Sequence, residues 1–338
     1  MTKIVIDGME YVEAPEILTS LEIESRMADN VERFGLSSGF IEAMSGIRER
    51  RIWAPGKLVW DAAILSAEKL LQRLDIDRSE IGCLINPSVS RDYIEPTVTI
   101  MVHDALGLGE RCVNLDINNA CMGFTSAVDI ISNMLKLKQI KYGLIVNAES
   151  SRDVIDITTK RLADPEIGLE DFIPEFASLT LGSGSVSMLL CREEDARFDG
   201  HVIEETMVAV DSRYGMLCYG DHRQMRCEAH TMLKKGLQLV KRTWDICMEE
   251  FDVWGVDKID RFIPHQVSMP HKKAFVQTTG VPMEKLELIF PEYGNTGPIA
   301  WPMGLAIAER KKNIGPGSNV AVFSMGSGFN SSCMRITW

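Results

Sequence analysis

One glycine turn is written twice in this chain, as Leu181-Gly182-Ser183-Gly184-Ser185 and as Met325-Gly326-Ser327-Gly328-Phe329. Each copy leads into a strand-like segment, Val186 to Cys191 and Ser332 to Trp338. Upstream, both halves read helix, strand, site residue, helix, strand. The first series is Trp60 to Leu74, Gly82 to Asn86, Cys121, the helix after it, and Gly143 to Asn147. The second is His230 to Glu250, Ile259 to Ile263, Asn295, the helix after it, and Val320 to Ser324. The two turns lie 144 positions apart and Cys121 and Asn295 lie 174 apart, so the first half carries 30 additional residues between site helix and turn. Such a repeat specifies an α/β protein of two related βαβ halves, 1–195 and 196–338. Each half turns one helix N-terminus toward a common site.

Three side chains stand at those positions. Cys121 separates the strand-like run Val113 to Ile117 from an apolar helical pattern ending near Leu137. A thiol at a helix N-terminus meets unpaired N–H groups and the positive end of the helix dipole, which favour the thiolate. His265 follows the run Ile259 to Ile263, and Asn295, within Gly294-Asn295-Thr296-Gly297, follows the run Leu286 to Phe290. Alone, each is first a structural motif: a small core residue, a strand-ending imidazole, a turn. Together they supply thioester chemistry, a nucleophile for an acyl group and two donors for an enolate or carbonyl oxygen.

With 338 residues, 45% of them hydrophobic, the chain can bury a large core, and one duplicated unit with a continuous centre is favoured over two separate domains. A net charge of −12 argues against broad nucleic-acid binding. The eight cysteines show no Cys-x-x-Cys pair and no zinc-type spacing, and read as reduced cytoplasmic thiols. Met1 to Asp7 holds too short an apolar run for a signal peptide, and no stretch has the length of a membrane helix.

These motifs, with Ser45-Gly46-Ile47-Arg48-Glu49-Arg50, resemble over essentially the whole chain the thiolase-like condensing enzymes of the β-ketoacyl-ACP synthase III branch. The resemblance implies a five-layered αβαβα thiolase fold, a cytoplasmic homodimer, and no bound cofactor or metal. It makes Cys121 the acylated nucleophile, His265 and Asn295 the pair at the second-substrate site, and the backbone N–H groups of Cys121 and Ser327 the oxyanion hole. Ser327 replaces the middle glycine of the family's Gly-Gly-Gly-Phe turn, a change that leaves the backbone donor in place. Ser88 to Pro96, Ile263 to His271 and Gly294 to Pro298 are most similar to the OleA type, which joins two long-chain fatty acyl-CoA molecules head to head.

In that type the residue matching Glu95 reaches the partner subunit's site. Condensing two plain acyl thioesters needs a base for an α-proton, whereas decarboxylating malonyl-ACP needs none. Glu95 therefore distinguishes non-decarboxylative condensation from the alternative, a decarboxylative synthase using malonyl-ACP or a carrier-bound polyketide. A non-catalytic acyl-binding member of the fold is the more distant reading. Phe40 matches the family's adenine-stacking aromatic, but Met44 stands where an arginine pairs with coenzyme A phosphate, so an acyl carrier protein remains open as donor. His271 is expected at the surface or behind the site. Segments 150–179 and 204–227 interrupt the repeat, and the resemblance implies that they cap acyl tunnels.

Overall fold

Ile81–Asn86, Tyr142–Glu149 and Asn319–Gly326 are apolar on successive residues instead of alternating ones, the pattern of strands covered on both faces, and all three lie almost wholly buried. The computed structural model, which describes residues 2–198, 200–221 and 224–338, puts them in one nine-stranded sheet. Its strands are β1 (Ile4–Glu13), β2 (Ile81–Asn86), β3 (Val113–Asp116), β4 (Tyr142–Glu149), β5 (Gly184–Arg192), β6 (His201–Val210), β7 (Arg261–Pro264), β8 (Asn319–Gly326) and β9 (Asn330–Thr337). They run in the order β7-β8-β9-β6-β1-β5-β4-β2-β3. The sheet is two half-sheets of like order, β1-β5-β4-β2-β3 and β6-β9-β8-β7, joined where Ile4, Val5 and Ile6 pair antiparallel with Ile203, Val202 and His201.

Helices cover these half-sheets in layers. The helices α1 (Val59–Leu74) and α2 (Val98–Ala105) pack on the outer face of the first half through Leu70, Leu71 and Val102 against Leu84, Leu144 and Leu189. Two helices fill the middle, α3 (Gly123–Lys136) and α6 (Ala300–Arg310), whose Phe124, Val128, Ile131, Trp301, Met303 and Leu305 share one core with strands of both halves. On the outer face of the second half lie α4 (Ala229–Glu250) and α5 (Met269–Thr279), with Trp244, Cys247 and Phe275 against Phe262 and Phe323. The layering is αβαβα, and α6 is buried all round over Ala300 to Ala308, as its apolar sequence requires.

Two local expectations fail. Leu286 to Phe290 is not a strand: Leu286 makes one bridge to Phe262, and Phe290–Tyr293 is a helical turn. The Gln266 carboxamide fills the missing strand's place, donating to Glu287 O at 3.0 Å and accepting from Ile289 N at 3.0 Å. The second interruption is also shorter than expected, because Glu204 to Val210 belongs to β6 and pairs with β9. The first interruption folds as the helices Arg152–Leu162 and Leu169–Glu175, which build a separate apolar cluster with Leu18, Ile23, Phe40 and Ile52.

Candidate active site

Cys121 lies in a single 3-10 turn, Ala120–Met122, between the end of β3 and the start of α3. Ala120 holds a positive φ of 46°, a costly conformation for a residue with a Cβ, and Asn118 Oδ1 supports it by accepting Ala120 N–H at 3.2 Å. Asn119 ties this turn to the second glycine turn, since Asn330 Nδ2 donates to its Oδ1 at 2.9 Å. A Cβ on Gly326 would stand 3.1 Å from Met122 Cγ, so glycine lets the chain carrying Ser327 close on the cysteine turn.

Asn295 is brought in by the first glycine turn. Its N–H donates to Thr180 O at 2.8 Å, and Gly182 N–H donates to its carbonyl at 2.9 Å. Any Cβ at Gly182 would lie 1.8 Å from Tyr293 O, so the approach requires glycine there. Asn295 Oδ1 accepts from Gly297 N–H at 3.0 Å, which fixes the amide orientation and frees Nδ2 to donate. The turn Gly297–Ile299 that follows packs directly on Ala120–Met122. Behind both turns, Phe124 and Trp301, at the starts of α3 and α6, meet edge to face at 5.3 Å.

His265 continues β7 by one residue, its N–H donating to Phe323 O at 2.7 Å. Burial, assisted by neighbouring His271, lowers its pKa to about 4, so the imidazole is neutral at physiological pH and presents one N–H. His271 is not at the surface: it is half-buried, its Nδ1 sits 2.8 Å from Ser268 Oγ, and burial holds its own pKa near 4.

The Cys121 thiol is not a resting thiolate. Burial, then the carboxyl of Glu149 and the thiol of Cys218, pushes its pKa up to about 12, outweighing its own backbone N–H. Neither Glu149 nor Cys218 is visible in the motifs around Cys121. For Glu149 the sequence signal is an ionisable residue ending an otherwise apolar strand run. It is 5% exposed, and its Oε1 accepts Val89 N–H at 2.9 Å and Asn147 Nδ2 at 2.9 Å. Oε2 accepts Ser90 N–H at 3.0 Å and Ser90 Oγ at 2.7 Å.

Glu95 differs from these residues in its exposure. It projects from the exposed stretch Tyr93 to Thr97, next to Ile94, which is 95% exposed, and makes no hydrogen bond or ion pair among the described residues. Phe40 is 6% exposed, with Phe172 at 6.0 Å and Phe176 at 6.1 Å, so its ring is occupied by the cluster under the first interruption. Met44, on the same short helix, is exposed. Among the described residues no helix is long and apolar enough to cross a membrane.

Residues 115–164 match the family model of 3-oxoacyl-[acyl-carrier-protein] synthase III, and residues 250–338 match its C-terminal model. The acyl-CoA:acyl-CoA alkyltransferase of Xanthomonas campestris is 34% identical over 98% of both chains. The protein of that name from Shewanella oneidensis is 33% identical over 100% of this chain and 99% of its own. A β-ketoacyl-[acyl-carrier-protein] synthase III of Pectobacterium atrosepticum is 28% identical over 97% of this chain and 96% of its own. The crystal structure of a cysteine-to-serine variant of Xanthomonas campestris OleA with bound lauric acid and lauroyl-CoA superposes with a TM-score of 0.96 at 33% identity, covering 99% of each chain. This chain belongs to the acyl-CoA:acyl-CoA alkyltransferase (OleA) family, within the 3-oxoacyl-ACP synthase III group of thiolase-fold acyltransferases.

Proposed function

We propose that the protein condenses two long-chain fatty acyl-CoA thioesters head to head, without decarboxylation, as a cytoplasmic homodimer. The observation that carries this reading is Glu95, a carboxylate with no partner among the described residues, held out beside an uncovered sheet edge. That edge is β3, and exposed Val113, Leu115, Tyr93, Ile94 and Ile100 on and near it are what a second copy would cover. Solved OleA relatives include variants at one glutamate and at one histidine, residue types that are central here. Eight free cysteines suit a reducing compartment.

In the first step Cys121 Sγ attacks an acyl-CoA carbonyl, and the N–H groups of Cys121 and Ser327 hold the oxyanion. The C–S bond to coenzyme A breaks, and the departing thiolate takes the proton given up by Cys121. The second acyl-CoA binds with its carbonyl oxygen at the neutral His265 N–H and Asn295 Nδ2, which hold the enolate as Glu95 of the partner subunit removes an α-proton. The α-carbon attacks acyl-Cys121, the C–C bond forms, and Cys121 leaves and recovers a proton from Glu95. The product is a β-ketoacyl thioester, released as such or after hydrolysis as the β-keto acid.

Mass spectrometry after incubation with one long-chain acyl-CoA alone tests this. Expected are an acyl group on Cys121 and a β-keto acid or its ketone, and a Glu95→Ala variant that acylates but does not condense. Acylation of the unsubstituted protein without condensed product would instead mark the second substrate as malonate-bearing or carrier-bound.

A further inference from the structure

Glu95 is useful only if the arm that bears it is held in place, and the fold pins both roots of that arm through carboxyl groups. At the far root, Asp116 accepts Val98 N–H at 2.6 Å and Thr99 N–H at 3.1 Å. Midway, the arm's own Asp92 accepts Val59 N–H at 2.9 Å and Trp60 N–H at 3.0 Å at the start of α1. At the near root, Glu149 takes four hydrogen bonds, three of them from Val89 and Ser90. Beyond the side chains of Val89 and Arg91, the exposed part of the arm is then the continuous stretch Tyr93 to Thr97.

Glu149 differs from the other two in its position. It ends β4 beneath the site, where its carboxyl carbon would lie 4.0 Å from a Cβ on Gly297 and its charge reaches Cys121. Two of its four donors are backbone amides that cannot reverse, while the Asn147 carboxamide and the Ser90 hydroxyl can turn. A carboxamide in its place would set an NH2 against a backbone N–H whichever way it faced: Val89 on one side, Ser90 on the other.

We propose that Glu149 is a positioning residue that pins the Val89-Ser90 root of the arm and so delivers Glu95 to the acyl-Cys121 of the other subunit. This inference rests on Glu95 acting in trans.

The test separates the two ideas by mixing subunits. Glu149→Gln alone is expected to acylate Cys121 at least as fast as the unsubstituted dimer, because a carboxyl that holds the thiol protonated is gone, while condensation falls about a hundredfold, the scale of a misplaced reacting group. A dimer of a Glu149→Gln subunit with a Cys121→Ser subunit has one complete site, formed by Cys121 of the first and the well-held Glu95 of the second. A randomly exchanged equimolar mixture should therefore recover about a quarter of full condensation activity in a two-fold dimer. Glu95→Ala mixed with Cys121→Ser is the control. Recovery in both mixtures supports the proposal. Recovery in the control alone overturns the role of Glu149 and leaves Glu95 in trans intact; no recovery in the control overturns both. Should Glu149→Gln not fold, Ser90→Ala, which removes the hydroxyl that donates to Oε2 and accepts Ser150 N–H, should show the same split and the same rescue more weakly, and an equal loss of acylation and condensation in it would count against the proposal.

Discussion

At the scale of single residues, identity was legible in the sequence and charge state was not. Cys121 and His265 sit in contiguous motifs after strands and Asn295 in a contiguous turn motif, so their types and places could be read directly. Their protonation depends on what folds over them, and here burial outweighs the helix dipole. With the Cys121 thiol pushed up to about 12, its thiolate fraction, and with it the rate of alkylation by iodoacetamide, should climb about tenfold per pH unit from pH 6 through pH 9. A plateau below pH 8 would show that the dipole prevails. His265, held near 4, stays neutral across this range, so no acid limb between pH 5 and 7 in the condensation profile should vanish in His265→Asn. Glu149 escaped the sequence reading because its four partners come from residues 89, 90 and 147, and only the fold joins the first two to β4.

At the scale of elements, the periodic segments declared themselves. Val59–Leu74 and Ala229–Glu250 carry clear helical stripes, and the fully apolar strands were readable from their runs. The segment after β7 misled because Leu286 to Phe290 has strand composition, while one side chain, Gln266, satisfies the backbone that a neighbouring strand would have satisfied. Gln266→Leu takes the carboxamide from the Ile289 N–H and from the carbonyls of Pro264 and Glu287, and should destabilise the protein by about 3 kcal/mol, measured as a shift in the urea midpoint at unchanged slope. Gly182→Ala forces a methyl into Tyr293 O at the junction that positions Asn295, and should cost a similar amount, about 3 kcal/mol, and also condensation activity. A Gly182→Ala protein of unaltered stability would mean that the two turns separate freely.

At the scale of the whole molecule, the duplicated architecture was legible because one turn recurs, but the exposed edge proposed to pair with a second copy was not, since exposure is a property of the finished sheet. Leu115→Lys should dissociate the dimer in sedimentation velocity and abolish condensation while Cys121 still takes up an acyl group. Stability should also depend on pH through buried histidines. His201, His265 and His271 all have folded pKa values near 4, below the unfolded value of about 6.5, so the unfolded chain binds more protons between those limits. Their contribution is complete above about pH 6.5 and is lost as pH falls toward 4; the raised carboxyls of Asp7, Asp129 and Glu149 act in the opposite sense. His201→Phe, which keeps an aromatic ring on Trp338, should flatten the fall in urea midpoint between pH 7 and pH 4.5. The seam at β1 has a further consequence for the order of events on the ribosome. Strand β1 pairs with Gly184 to Arg192 on one side and His201 to Ile203 on the other, so it must wait for about 170 further residues to be translated before it has neighbours. Until then its apolar residues are exposed, and β1 is placed among the later steps of folding although it is made before both of its neighbours.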